Sequence, residues 1–346
     1  MPTHISHSVQ SLERRCLMSA SPGIDGIGVL GDSYGDEYQF YAPDRSTAHN
    51  WVEQLAQDSN VSFGSFSAAD PAGPHNAGFD FDWAVSGATS SDMLANRQVA
   101  GVAQQAASGR VDLVSIFIGG NDFRDVFTVL GTQGPDAAVA ALQAAVPTIA
   151  TNIAIATGTV LSPPVVGANP DVRVMLTTIP KLSYLPEVRK LVLAVPQIAQ
   201  FVAGVDQAIG ILNQQLYNIA ATSDRIAVAD YSGFIDSLFA AKKFKVGNVE
   251  LNRTALSNPT NDPTCLVLAD GLHPGTIGQG LLANLLVDTA NDAFGMHLQE
   301  LSSHDILVNA GLKKSPPAQS QAARSAAPTF ASVKDLLAVE LEGAIA

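Results

Sequence analysis

Four short polar motifs in this 346-residue chain carry the residue types of nucleophilic acyl chemistry. They are Gly31-Asp32-Ser33, Ser86-Gly87-Ala88-Thr89, Gly119-Gly120-Asn121-Asp122 and Asp270-Gly271-Leu272-His273-Pro274. A serine hydroxyl is a weak nucleophile until a base takes its proton, and imidazole is the side chain suited to that task near neutral pH. A carboxylate must then hold the imidazole in one tautomer and stabilise the imidazolium as it forms. Ser33, His273 and Asp270 supply the three roles, with acid and base three residues apart on one predicted turn. The attacked carbonyl becomes an oxyanion, which needs donors already in place. The backbone N–H groups of Ser33 and Gly87 and the side-chain amide of Asn121 are the candidates, glycine permitting close backbone approach and asparagine donating without charge.

Each motif taken singly is an ordinary turn or helix cap. What sets them apart is where the surrounding elements put them. Apolar, β-branched runs at residues 24–30, 79–85, 111–118, 172–179, 226–229 and 264–268 predict strands, with a possible short one at 61–66. Between them lie helical patterns: 91–107 with Gly109 placed to end it, an Ala-rich stretch at 137–156 with Pro147 a kink or break, a long stretch ending near Tyr217, and 277–290. Ser46 or Thr47 caps a helix running to Ala56, and 233–256 is irregular, with room for a hairpin or a substrate-side insertion. The four motifs follow the runs at 24–30, 79–85, 111–118 and 264–268. In open α/β sheets ligands bind outside the carboxyl ends of the strands, so distant parts of the chain deliver their side chains to one edge. The expected fold class is α/β.

Composition agrees with that layout. The chain is 47% hydrophobic but only 6% aromatic, a mix that suits a parallel sheet packed between Ala-rich helices. A formal charge of −13 argues against a nucleic-acid partner. Cys16 and Cys265 make neither a disulfide framework nor a metal-ligand spacing, and no metal or other cofactor is implied. His75, Asp80 and Asp82 have no Ca²⁺-loop spacing, while Asp32 and Asp122 read as braces or helix caps. No uninterrupted apolar run reaches the ~18 to 20 residues of a membrane span. Three regions are expected: a leader at 1–23, a catalytic domain at 24–298, and at 299–346 a linker followed by a helical tail. The tail divides into a Ser-, Pro- and Ala-rich stretch at 313–328 and an amphipathic helix at 330–346. Within the leader, Ser11-Leu12-Glu13-Arg14-Arg15-Cys16-Leu17-Met18-Ser19-Ala20 reads either as a plain disordered segment or as a short motif of some bacterial surface and exported proteins. The compartment and the oligomeric state stay open.

The order of the four motifs resembles the SGNH or GDSL hydrolases, whose Ser, Gly, Asn and His correspond here to Ser33, Gly87, Asn121 and His273. Ile179-Pro180-Lys181-Leu182-Ser183-Tyr184-Leu185-Pro186, Leu212-Asn213-Gln214-Gln215-Leu216 and Val228-Ala229-Asp230-Tyr231 extend the likeness over roughly residues 24–294. The resemblance implies a three-layer α/β/α sandwich with a central, mostly parallel sheet of flavodoxin-like type, and a metal-free esterase, lipase or deacetylase. Tyr34 replaces the leucine of the GDSL name, and Asp82 stands where many members carry asparagine, a change that bears on hydrogen bonding around Gly87. The implied reaction is hydrolysis of a carboxylic ester, with a lipid, acyl or acetylated-carbohydrate substrate, through an acyl-serine. Acyl transfer at the same site and a non-catalytic surface-binding role are the alternatives. The aromatics Tyr34, Tyr38, Phe40 and Tyr41 after the nucleophile fit either a substrate wall or the core.

Overall fold

The computed structural model describes residues 26–68, 77–162, 169 and 171–314. The expected leader at 1–23, nearly all of the linker and the tail helix at 330–346 lie outside the described residues. Strand β1 (Ile27–Gly31) is followed by α1 (Trp51–Asp58), a small antiparallel pair β2 (Phe66–Ser67) and β3 (Gly78–Phe79), α2 (Ser90–Ala95), α3 (Gln98–Ala107) and β4 (Leu113–Phe117). Next come α4 (Gly120–Gln133), α5 (Pro135–Leu161), β5 (Arg173–Thr177), α6 (Pro186–Ala194), α7 (Ala199–Ala220) and β6 (Ile226–Ala229). Helix α8 (Tyr231–Ala240), the hairpin β7 (Lys245–Val246) and β8 (Val249–Glu250), α9 (Thr276–Phe294) and α10 (Ser303–Asn309) complete the body.

The central sheet has the order β1-β4-β5-β6, and every neighbouring pair is parallel. All residues of β1 and β4 are buried, which is why these strands are near-continuous apolar runs rather than alternating ones. Helices α1, α9 and α10 pack on one another, as do α2, α3, α5 and α7, giving a helical layer on each face of the sheet. The result is the three-layer α/β/α sandwich. Register then does positional work. Gly31 pairs with Phe117, so the chain leaves β1 and β4 side by side on the way to Ser33 and Asn121.

Several elements differ from expectation for identifiable reasons. The run at 264–268 joins no sheet: Cys265 and Val267 make only isolated bridges, to Asn252 and Pro274. Its backbone is occupied by the turn that follows, with Leu268 N–H donating to the His273 carbonyl and Gly275 N–H to that of Leu266. The run at 79–85 is an irregular edge beside β1, bonded through Val29 N–H to Phe81, Trp83 N–H to Val29 and Val85 N–H to Gly31. The helix expected from Ser46 or Thr47 starts later, because Asn50 has Glu53 three residues on and closes a capping box, which neither earlier residue can do. Arg97, with φ of 67°, splits the predicted 91–107 helix into α2 and α3. Pro147 does not break α5, which runs 27 residues through it. Helix α4 had no predicted counterpart.

Helix α5 is long and apolar enough, by length and composition, to cross a membrane, with a window of mean hydropathy 1.6. The expectation of no such segment counted uninterrupted apolar residues only. In this fold α5 lies on its neighbours through Ala138, Ile149, Ile153, Ala156 and Val160. Beyond residue 298, Leu301, Ile306 and Leu307 are fully buried in the main core.

Candidate active site

Beyond β1 the chain turns sharply. The N–H groups of Gly35 and Asp36 both donate to the Asp32 carbonyl, and Tyr34 N–H donates to Asp32 Oδ1 at 3.1 Å. This turn leaves Ser33 buried with its hydroxyl against the imidazole of His273. Ser33 Oγ lies 2.7 Å from His273 Nε2, and His273 Nδ1 lies 2.5 Å from Asp270 Oδ2. A ring that donates from Nδ1 to the carboxylate keeps Nε2 as acceptor for the serine hydroxyl, so the hydrogen-bond network assigns the tautomer. Asp270 Oδ1 also accepts from Leu272 N–H at 2.9 Å and His273 N–H at 3.0 Å. Burial opposes ionisation of Asp270, but these bonds and the neighbouring imidazole outweigh it and hold the carboxyl below its ordinary range.

The loop carrying Asp270 and His273 is anchored by side chains from the loop that carries Ser33. Tyr34 Oη donates to the Leu272 carbonyl at 3.2 Å. Tyr38 Oη donates to the Pro274 carbonyl at 3.3 Å and accepts from Gln279 Nε2 at 2.7 Å. The Tyr38 ring stands edge-on to His273, 6.0 Å between centroids. The aromatic cluster therefore divides its work. Tyr38 is core, whereas Tyr34 lines an apolar cavity beside Ser33, and Phe40 and Tyr41 line a polar one beside His273.

Gly87 sits at φ of 84°, and a Cβ there would meet nothing within 4 Å. Glycine is demanded by the left-handed backbone, not by the crowding that close approach implied. Asn121 lies in the first turn of α4, whose cap Gly119 has φ of 115° and no room for a side chain against Ile149 and Ile179. Asn121 Nδ2 donates to the Ala88 carbonyl at 3.0 Å, tying α4 to the Gly87 loop. Asp122 strengthens that tie by accepting from Ser90 N–H at 2.8 Å and Ser90 Oγ at 2.7 Å. Among the described residues no acceptor engages the N–H of Ser33 or of Gly87.

Two residues that sequence reasoning passed over join these loops. Arg45 is buried, with Nη1 3.4 Å from the Ser33 carbonyl and Nη2 donating to Ser86 Oγ at 3.0 Å. Its guanidinium lies 3.8 Å from the Tyr41 ring centroid. Asp36 accepts from Ser86 N–H at 2.6 Å and from the Tyr41 hydroxyl. Neither residue belongs to a motif. The aromatics preceding Arg45 were the one available hint. Asp82, the departure noted in the sequence, does not reach Gly87; its Oδ1 accepts from Ala84 N–H at 3.0 Å. Burial raises the Asp82 carboxyl well above the usual range, and the nearby Glu37 and Asp36 push the same way. Burial likewise lifts Glu37 to about 8 and Asp32 to about 7.

In this parallel α/β sandwich the Ser33 hydroxyl, the His273 imidazole and the Asp270 carboxylate lie in hydrogen-bonded sequence beside the ends of β1 and β4. Residues 27–286 match the model of the GDSL-like Lipase/Acylhydrolase family, and the chain belongs to that family. It is an ester-hydrolysing enzyme of the GDSL type. No curated protein matches the chain. Among solved structures it is similar to an extracellular lipase from Streptomyces rimosus, at 21% identity and a TM-score of 0.43 over 78% of this chain and 98% of that one. The lipase Lip_vut3 from a goat rumen metagenome is similar at 14% identity and a TM-score of 0.45, over 79% and 98% of the two chains. An acetyl xylan esterase from Geobacillus stearothermophilus is similar at 14% identity and a TM-score of 0.41, over 79% and 96%.

Proposed function

We propose that this protein cleaves carboxylic esters through an acyl-serine, with Ser33 as nucleophile, His273 as general base and acid, and Asp270 orienting His273. The observation that carries this is the continuous bond sequence from Ser33 Oγ to His273 Nε2, 2.7 Å, and from His273 Nδ1 to Asp270 Oδ2, 2.5 Å. As Ser33 Oγ attacks the ester carbonyl, its proton passes to Nε2. The ionised Asp270 stabilises the imidazolium that results. Negative charge on the former carbonyl oxygen is met by the N–H groups of Ser33 and Gly87 and by the Asn121 amide. Collapse expels the alcohol, which takes the proton from Nε2. Water then attacks the acyl-serine with His273 again accepting a proton, and the second collapse returns Ser33 and releases the acid. None of these steps calls for a metal or an organic cofactor.

The direct test is turnover of p-nitrophenyl butyrate by the purified full chain and by Ser33→Ala. Turnover in the wild type should fall to the level of the uncatalysed reaction in the variant. Retained turnover in a folded Ser33→Ala protein would refute the assignment.

A further inference from the structure

The three proposed oxyanion donors are not held alike. Ser33 lies just past β1 and Asn121 in the first turn of α4, whereas Gly87 stands at the corner of a turn outside any helix or strand. Ala88 N–H donates to the Val85 carbonyl at 3.0 Å and closes that turn. The φ of 84° at Gly87 is close to what a type II turn needs at its third residue. Gly87 is exposed, and a Cβ there would meet nothing within 4 Å, so packing does not fix the corner. Glycine also has the widest backbone freedom of any residue, so the direction of its N–H rests on the bonds its neighbours make.

Those bonds lead to the other two donors. On one side, the Ala88 carbonyl accepts from Asn121 Nδ2 at 3.0 Å. On the other, Ser86 is gripped twice by the loop that carries Ser33. Ser86 N–H donates to Asp36 Oδ2 at 2.6 Å, and Ser86 Oγ accepts from Arg45 Nη2 at 3.0 Å. Arg45 Nη1 reaches the Ser33 carbonyl at 3.4 Å, so one guanidinium joins the residue before Gly87 to Ser33 itself. Asp36 is fixed to the same turn, its N–H donating to the Asp32 carbonyl at 3.1 Å and its own carbonyl accepting from Asn50 Nδ2.

Arginine suits this place better than lysine. Its planar fork presents donors at fixed angles and can hold two acceptors on different loops at once. The Tyr41 ring lies against that plane, 3.8 Å from the guanidinium carbon to the centroid, with the Tyr38 ring at 5.3 Å. Tyr41 in turn donates its hydroxyl to Asp36, so the two grips on Ser86 brace each other. A neutral side chain could make either bond alone. Burying a cation is costly, and what it adds here is the simultaneous hold on both loops.

Building on the serine-esterase reading, we infer that Arg45 is a positioning residue for the oxyanion site. Acting through Ser86, and seconded by Asp36, it keeps the Gly87 N–H aligned with the N–H of Ser33. In this role it transfers no proton and bonds no substrate atom. Its effect falls on kcat, because the oxyanion develops only as the reaction proceeds and the resting ester gains little from the donor.

The test is a double-mutant cycle on the purified full chain with p-nitrophenyl butyrate, comparing wild type, Arg45→Met, Ser86→Ala and the two combined. Outright loss of one oxyanion donor costs roughly 10²- to 10³-fold in kcat, and a donor present but loosened costs less. Arg45→Met is expected to lower kcat about 10- to 50-fold and Ser86→Ala about 5- to 10-fold, each with KM changed less than about 2-fold. Both remove the same bond, so the double variant should lie within about 2-fold of Arg45→Met rather than at the product of the two losses. Arg45→Lys keeps the charge without the fork and should stay at least about 5-fold below wild type. Should Arg45→Met fail to fold, Ser86→Ala carries the test alone, since it deletes the same bond from a half-buried serine. Losses that multiply, a loss confined to KM, full activity in Arg45→Lys, or unchanged kcat in Ser86→Ala would each overturn the positioning role. Absence of Ser33-dependent turnover would instead remove the serine-esterase reading itself, so the two failures are distinct.

Discussion

The two halves of the proposed active site are held in place by different forces. Ser33 and Asn121 leave β1 and β4, which are paired in register from Ile27 opposite Leu113 to Gly31 opposite Phe117. Their positions follow from a backbone ladder and from burial on both faces of the sheet. Asp270 and His273 lie on a loop that adds no strand to the sheet and bonds to its own backbone. Tyr34 and Tyr38 bond its carbonyls, Gln279 braces Tyr38, and Glu187 N–H donates to the Gly271 carbonyl. A ladder tolerates single side-chain changes better than a loop held largely through two tyrosine hydroxyls. The half that carries the proposed base is thus the more vulnerable.

The largest expected effects come from removing the proton-handling groups. His273→Ala and Asp270→Asn should each lower kcat on the order of 10⁴-fold while leaving thermal stability within a few degrees, measured by steady-state kinetics and calorimetry. A loss below 10-fold in either would show that the Ser33–His273–Asp270 sequence of bonds is not the reacting one. Next in size is the sheet-borne donor: Asn121→Ala should cost roughly 10²- to 10³-fold in kcat with little change in KM. Loss of KM alone would make Asn121 a binding residue.

A smaller effect separates the two halves directly. Tyr38→Phe keeps the ring beside His273 but removes the bonds to Pro274 and Gln279, each worth roughly 0.5 to 1.5 kcal/mol. The expected outcome is a fall in kcat of about 10-fold at most, since a misplaced base weakens the transition state more than it weakens substrate binding. Unchanged kcat would mean that the loop holds His273 without its tyrosine anchor.

The smallest effect concerns stability. Carboxyls that ionise near 4 in the unfolded chain are raised in the fold to about 8 at Glu37 and about 7 at Asp32, and well above the ordinary range at Asp82. The folded state thus holds more protons than the unfolded state across that interval, and stability falls as pH rises from about 4 to 8. Asp82→Asn should leave the melting temperature at pH 3.5 nearly unchanged and raise it at pH 8.5, by roughly 2 to 4 °C for each kcal/mol regained. Equal melting temperatures for the wild type at the two pH values would contradict the burial of these acids.

The placement of Ser33 and Asn121 was legible in the sequence because strong strands precede their motifs and each motif is contiguous. Asp270 and His273 were legible as a neighbouring pair because their motif is contiguous, although the run before them forms no sheet strand. A five-residue apolar run at 264–268 looks the same whether it enters a sheet or lines a turn, and only the backbone bonding partner decides. Arg45 and Asp36 were hidden because their roles depend on where an irregular loop returns, and no spacing records that. Asn50 was readable in principle, since Glu53 three residues on marks a capping box that Ser46 and Thr47 lack. Pro147 misled because tertiary packing along α5 outweighs the loss of one helical bond.

The most direct test of the central claim is covalent labelling by a serine-directed phosphonate, mapped by peptide mass spectrometry. A single adduct should form on Ser33, be absent from Ser33→Ala, and form at least 100-fold more slowly in His273→Ala. An adduct on another serine, or labelling of Ser33 at an equal rate without His273, would contradict it.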